Sequence, residues 1–379
     1  MDTLFIYLLL KVTMLCSGFL CGYKCYQKKK FLPCILMFIL FFSINEGLRF
    51  GRGVDYNGYY FKYADILQFG FQEAKEFLFV AYCKLINILG LDYQGFIFSL
   101  SFILACSCVY SLRGLKPILP FALPLFCFYS IGAENLIRWW LSFSFLMIAV
   151  SFVVEKKWKY VLLFCVIAAL FHNAMLIVIA IMGLLYFVKP YIKVLYLWIM
   201  YLLVYLLFKP EYMETVSQYL SLLQIGDSFQ FAGYIQNSSA WLTGTANYVA
   251  GQLPVMLVLQ DLLVLYVAKF VVVNHPNLGF YYNLCLFGTL LYPAFYQVEI
   301  LWRIIDVFHL YQYLLLAVAL TDIVFLKSKY VYGHKVFIAS IFVVFNLIRM
   351  HIINFLFDYD ENAILFIWDA AGRHFLDVI

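Results

Sequence analysis

The stretch "YVLLFCVIAALFHNAMLIVIAIMGLLYFV", residues 160–188, decides how this chain is laid out. As one piece it is a long, tilted membrane helix. Broken at His172-Asn173 it becomes two short helices, near 21 Å each at about 1.5 Å per residue, that need a thinned or re-entrant passage. Lys and Arg collect in the cytoplasmic turns of membrane proteins. Counting the stretch once would carry every later lysine cluster to the side opposite the earlier ones, so the break at His172-Asn173 is expected.

Composition forces the membrane setting. Of 379 residues, 65% are hydrophobic and 12% charged, with a mean hydropathy of +0.90. A soluble fold would need an impossibly large core. Runs able to cross roughly 30 Å of hydrocarbon, which takes about 20 helical residues, fall near 3–22, 31–46, 94–112, 117–133, 136–154, 160–172, 174–188, 193–208, 251–272, 278–297, 300–326 and 335–357. They predict an all-α polytopic bundle of about 12 spans (roughly 10–13), because a closed barrel would show short alternating segments instead. The turns at 23–30, 113–117, 155–159, 189–193, Lys269 and 327–335 hold 15 of the 26 basic residues. Placing all six in the cytoplasm puts the intervening turns and both termini outside.

The whole chain, 1–379, reads as a single integral membrane domain without internal repeats. Residues 3–22 lack a small-residue cleavage site and have their basic cluster behind them, so a retained span is expected there. Residues 71–90, "FQEAKEFLFVAYCKLINILG", place Glu73, Glu76, Lys84 and Asn87 in one polar stripe, which predicts an interfacial helix within an outer loop, 47–92. A second long outer loop, 209–250, is polar and aromatic. The ten cysteines are scattered without metal-ligand spacing, so no metal or other cofactor is expected. The abundant Phe and Tyr suit headgroup belts, and sugar stacking second.

Once the cytoplasmic turns are set aside, the strongly polar groups converge on the outer side. "LRFGRGVDYNGYY" supplies Arg49, Arg52 and Asp55; "GAENLIRWW" supplies Glu134 and Arg138; "FHN" supplies His172; "QVEILWRIIDVFH" supplies Glu299, Arg303, Asp306 and His309. Glu134 and Arg138, four apart, and Glu299, Arg303 and Asp306, within one helical face, are each expected to point to one place. Each residue also has an ordinary explanation, in snorkelling, local pairing or a satisfied helix break. Several arginines gathered on one face suit an anion, and a lipid-linked pyrophosphate fits best because its tail lies among the spans while guanidinium groups meet its oxygens.

At these residues the sequence resembles the EpsG family, a branch of the Wzy-type polysaccharide repeat-unit polymerases of the bacterial inner membrane. The matching elements are "LRFGRGVDYNGYY", "EFLFVAYCKLINILG", "ENLIRWWLSFSFLMIAVSF", "KKWKYVLLFCVIAALFHNAMLIV" and "LWRIIDVFHLY". Where the family commonly has Arg followed by Gln, this chain has Arg138-Trp139. The resemblance implies a GT-C-like membrane glycosyltransferase that joins undecaprenyl-diphosphate-linked oligosaccharides on the outer face, without nucleotide sugars or nucleic acid. Membrane lipids, a chain-length regulator and a flippase are the implied partners. Arg49, Arg52, Arg138 and Arg303 are then the expected pyrophosphate ligands. Asp55, His172 and Asp306 are the candidate bases, and Glu134, Glu299 and Tyr56 are secondary members. An O-antigen ligase or other polyprenyl-linked sugar transferase, a lipid-linked oligosaccharide flippase, and a membrane O-acetyltransferase are the competing classes.

Overall fold

The computed structural model describes residues 3–27, 31–53, 55–72, 76–191, 193–209, 212, 253–326, 333–353 and 364–370. The outer loop expected at 209–250 lies outside the described residues except for Lys209 and Tyr212. Regular structure among the described residues is helical, and their one bridge of strand type joins Arg49 to Phe366. Among the described residues six helices are long and apolar enough to cross a membrane: Thr3–Tyr26, Tyr93–Ser111, Ile137–Val154, Val255–Asn274, Leu301–Val324 and His334–Ile353. The chain is therefore a multi-pass membrane protein. The other expected spans are also helical but shorter.

The helices group into two compact units. The first comprises 1–184, 320–326 and 347–379. In it α1 (Thr3–Tyr26) packs on α2 (Phe31–Gly47) and α6 (Leu119–Tyr129), α2 on α5 (Tyr93–Ser111), α5 on α7 (Ile137–Val154), and α7 on α8 (Trp158–Phe171). Two short helices, α3 (Tyr56–Phe69) and α4 (Phe77–Ile88), occupy the region expected as an outer loop. α4 is about 18 Å long, too short to cross. Its Phe79, Val80, Cys83 and Ile86 are buried against Tyr63, Phe96 and Phe171. The helix thus rests on protein through these four residues.

α8 ends where the sequence placed the break. His172 is extended (φ −155°, ψ 110°), and its N–H still bonds the Ala168 carbonyl. The next helix, α9 (Met175–Phe187), restarts on the carbonyls of His172 and Asn173. α8 thus runs about 21 Å from a basic turn to His172. At the basic end Arg113 pairs with Glu155 at 2.5 Å and Lys157 with Glu155 at 2.8 Å, so the turns after α5 and α7 meet. α5 and α7 both begin at the other end of the unit, which carries the turns at 48–53 and 131–135 and His172.

The second unit comprises 185–319 and 327–346. It contains α10 (Val194–Leu207), α11 (Val255–Asn274), α12 (Gly279–Phe295), α13 (Glu299–His309) and most of α14 (Gln312–Val324) and α15 (His334–Ile348). α12 and α13 approach at backbone distance: a Cβ on Gly288 would lie 2.3 Å from the amide nitrogen of His309, so only glycine fits.

Candidate functional site

The turn after α2 is shaped by its glycines. Gly51 and Gly53 have φ of +65° and +94°, and a Cβ on Gly53 would lie 2.8 Å from the Glu134 carbonyl oxygen. The turn therefore lies directly on the 131–135 segment, where Asn135 Oδ1 accepts the Asp55 N–H at 3.1 Å. Asp55 itself sits half-buried at the N-cap of α3 without capping it through its side chain. Tyr56 is buried; its hydroxyl donates to Gln94, whose amide donates to the Gly47 and Arg49 carbonyls. Its place is in the packing of the turn.

The two arginines of the turn face inward. Arg52 is 1% exposed and Arg49 is 3% exposed. The Arg52 guanidinium lies against the rings of Tyr7 and Phe366, at 5.4 and 4.7 Å. It donates to the Asn45 carbonyl at 2.5 Å and to Glu134 at 3.3 Å. Arg49 donates to the carbonyls of Glu46 and Glu134. Residues 364–369 cover this turn, with Phe50 and Ile367 N–H groups bonding the Leu365 and Leu48 carbonyls. Lys11 from α1 completes the cluster, 2.9 Å from Glu46 and 3.9 Å from Glu134. Burial pushes the Glu134 carboxyl upward, against the pull of Arg52. A cavity of about 20 Å³ adjoins Glu46, Arg49, Ser101, Glu134 and Trp140. That is space on the scale of one water and far too small for a sugar diphosphate, which would reach Arg52 only if Phe366 moved.

Arg138 and His172 form a separate and more open cluster. Both contact Glu76, the residue before α4: Arg138 Nη1 donates to Oε2 at 2.8 Å, and His172 Nδ1 lies 3.0 Å from Oε1. Side-chain exposures are 18% for Arg138, 16% for His172 and 12% for Glu76. The Trp139 ring stands edge-on to His172, and the Arg138 guanidinium covers the Phe79 ring. Burial alone would raise the Glu76 carboxyl, but the His172 hydrogen bond and the Arg138 charge hold it below its ordinary value. Burial lowers the His172 imidazole, with Glu76 opposing and Arg138 and Lys62 adding to the fall. At neutral pH the pair is therefore a carboxylate and an uncharged imidazole.

Glu134 and Arg138 thus point to different clusters, contrary to the expectation from their spacing. The reason is local. α7 begins at Ile137; Glu134 belongs to a short 3₁₀ turn, and Leu136 between them is non-helical (φ −93°, ψ 59°). The rule that residues four apart share a face holds only on a continuous helix. The polar stripe is broken in the same way, since Glu76 lies off the start of α4 and Glu73 lies outside the described residues.

The remaining candidates belong to the second unit. Arg303 and Asp306 are half-buried on α13, and the side chain of Glu299 lies outside the described residues. His309, at the end of that helix, meets Asp261 of α11, its Nε2 lying 2.9 Å from Oδ1. Tyr201 donates to the other Asp261 oxygen at 2.9 Å, Gln312 donates to Oδ1 at 2.8 Å, and the Tyr292 ring stacks on His309 at 3.9 Å. All of these are buried.

Sequence reasoning missed Lys11, Glu46 and Asp261 as network members, and Glu76 as a partner of His172. Lys11 and Asp261 carried a readable signal, a lone charge inside an apolar run, which implies a buried partner. Glu46 and Glu76 carried none beyond their charge.

No curated protein and no solved structure matches the chain. A family model does match, over residues 30–360, and so takes in the middle third that the short motifs left uncovered. The match takes in the Glu76–Arg138–His172 cluster, Glu46, Arg49, Arg52 and Glu134 of the buried one, and the Asp261–His309 pair of the second unit, but not Lys11, Tyr7 or Phe366, and by it the chain belongs to the EpsG family.

Proposed function

We propose that this protein is a membrane glycosyltransferase that polymerises lipid-linked oligosaccharide repeat units into a surface polysaccharide. Membership of the EpsG family, tied to membrane polysaccharide biosynthesis, carries the reading. The full reading is a GT-C-like bundle of about 12 spans in the bacterial inner membrane, with undecaprenyl diphosphate as the lipid carrier and the site facing outward. The segregation inside the first unit supports that orientation, since the Arg113–Glu155–Lys157 turns lie at the end opposite His172.

The transfer forms a bond from an acceptor hydroxyl oxygen to the donor's anomeric carbon. The bond from that carbon to the lipid pyrophosphate breaks, and the pyrophosphate leaves with the electron pair. Pyrophosphate is a good leaving group, so the protein has to meet its growing charge with fixed donors and to take up the hydroxyl proton. Arg138 suits the donor role, because one of its two terminal nitrogens serves Glu76 and the other has no protein partner among the described residues. His172 suits the role of base, being uncharged and partly open. Arg49 and Arg52 act in this state by holding the 48–53 turn against Glu134.

Deletion in a strain that makes a surface polysaccharide tests the reading. A polymerase leaves single repeat units exported and attached. Loss of all external glycan would identify a flippase, and long unattached lipid-linked chains a ligase; either result would overturn the proposal.

A further inference from the structure

We propose that Glu76 is the positioning residue for His172: its carboxylate holds the Nδ1–H tautomer, so that Nε2 carries the lone pair that takes the acceptor's proton. The assignment rests on the polymerase reading and goes beyond it, because the base acquires a defined atom and a defined support.

The chemistry follows from what each atom can do. An ionised carboxylate only accepts hydrogen bonds, so the imidazole nitrogen 3.0 Å from Glu76 Oε1 must carry the proton. An uncharged imidazole has one N–H, which leaves Nε2 as the acceptor. Nε2 has no protein partner among the described residues, and the side chain is 16% exposed, so the lone pair is both available and reachable. Glu76 is itself fixed, since its second oxygen accepts from Arg138 Nη1 at 2.8 Å. The ring of His172 is held edge-on by Trp139. Its backbone is held by the helix break, where the His172 N–H and carbonyl are both used. A histidine held by a carboxylate on one nitrogen and open on the other is the arrangement general-base catalysis requires.

Among the described residues the charged groups around His172 come from three elements: Glu76 ahead of α4, Arg138 on α7 and Lys62 on α3. Glu76 favours the protonated imidazole, while Arg138 and Lys62 disfavour it. Removing the carboxylate charge therefore lowers the pH at which His172 protonates, and removing the Arg138 charge raises it. These shifts reach the acid limb of polymerisation only where His172 is the base.

The test uses the full-length protein in lipid nanodiscs with ¹⁵N-labelled histidine, the His172 signals being assigned by their loss in His172→Gln. Wild type is expected to show the Nδ1–H tautomer. Glu76→Gln is expected to lose it, to shift the acid limb of polymerisation to lower pH, and to reduce kcat about 10- to 100-fold while leaving KM for the lipid-linked unit within about two-fold. Glu76→Asp should recover part of that loss, and Arg138→Gln should move the acid limb to higher pH. An Nε2–H tautomer in wild type, or full kcat in Glu76→Gln, overturns the assignment. If wild type makes no polymer from lipid-linked units in the same nanodiscs, the polymerase reading falls, and with it the base role, while the tautomer result stands as geometry.

Discussion

Glu76–His172 and Asp261–His309 each put a carboxylate oxygen beside an imidazole nitrogen, at 3.0 Å in one and 2.9 Å in the other. Their surroundings differ. Asp261 receives Tyr201 and Gln312 as well as His309, Tyr292 lies flat on the ring, and every member is buried. Glu76 has one oxygen on Arg138 and one on His172, and all three side chains remain partly exposed. A fully satisfied buried network fixes how helices pack, and any change to it leaves groups without partners. A half-open pair gives up little packing but keeps one nitrogen for a substrate. The distance between carboxylate and imidazole does not separate structural from chemical use; what the remaining atoms face does.

His172→Gln should have the largest effect, lowering polymer formation by about 10² to 10⁴-fold with unfolding in detergent unchanged. A variant that both unfolds early and keeps its specific activity would place His172 with the structural pair. Asp261→Ala should do the reverse, costing about 3 kcal/mol of stability while activity per folded molecule holds; activity lost at full stability would make that pair a second chemical site. Arg52→Ala comes next, at about 2 kcal/mol, because it strips Glu134 of a partner and leaves Tyr7 and Phe366 facing a void. A large rise in KM for the lipid-linked donor at unchanged stability would instead show that Phe366 moves and that Arg52 touches pyrophosphate. Arg113→Ala, at the basic end, should cost about 1 kcal/mol or less, since the Arg113–Glu155 pair is partly solvated.

The pH dependence sharpens the same contrast. Burial lowers the His172 imidazole, so the form able to accept a proton persists below the ordinary histidine value of 6.5, and the acid limb of polymerisation in wild type should fall below that point. An acid limb well above 6.5 would assign the base elsewhere, with Asp55 the first alternative on its half-buried N-cap.

Much of this was legible in the residues alone. Apolar runs, the break at His172-Asn173 and the gathering of lysines in alternate turns follow from hydration and from the 1.5 Å rise of a helix, which are local properties. Burial of the arginines was not. Arg49 and Arg52 read as an exposed anion trap, but Tyr7 and residues 364–369 cover them, from the two ends of the chain. The short turn at 131–135 likewise separated Glu134 from Arg138, which the spacing alone had placed together.

By itself, then, the sequence determined that the chain lives in a membrane, that it is helical, and which turns are charged, because transfer free energies act residue by residue. Tertiary structure alone decided which charges meet. Glu76 and His172 are 96 residues apart, and Arg49 reaches the Glu134 carbonyl across 85. In a low-dielectric interior each buried charge is costly until it finds a partner, and which partner lies within reach is set by the packing of helices that no local pattern records.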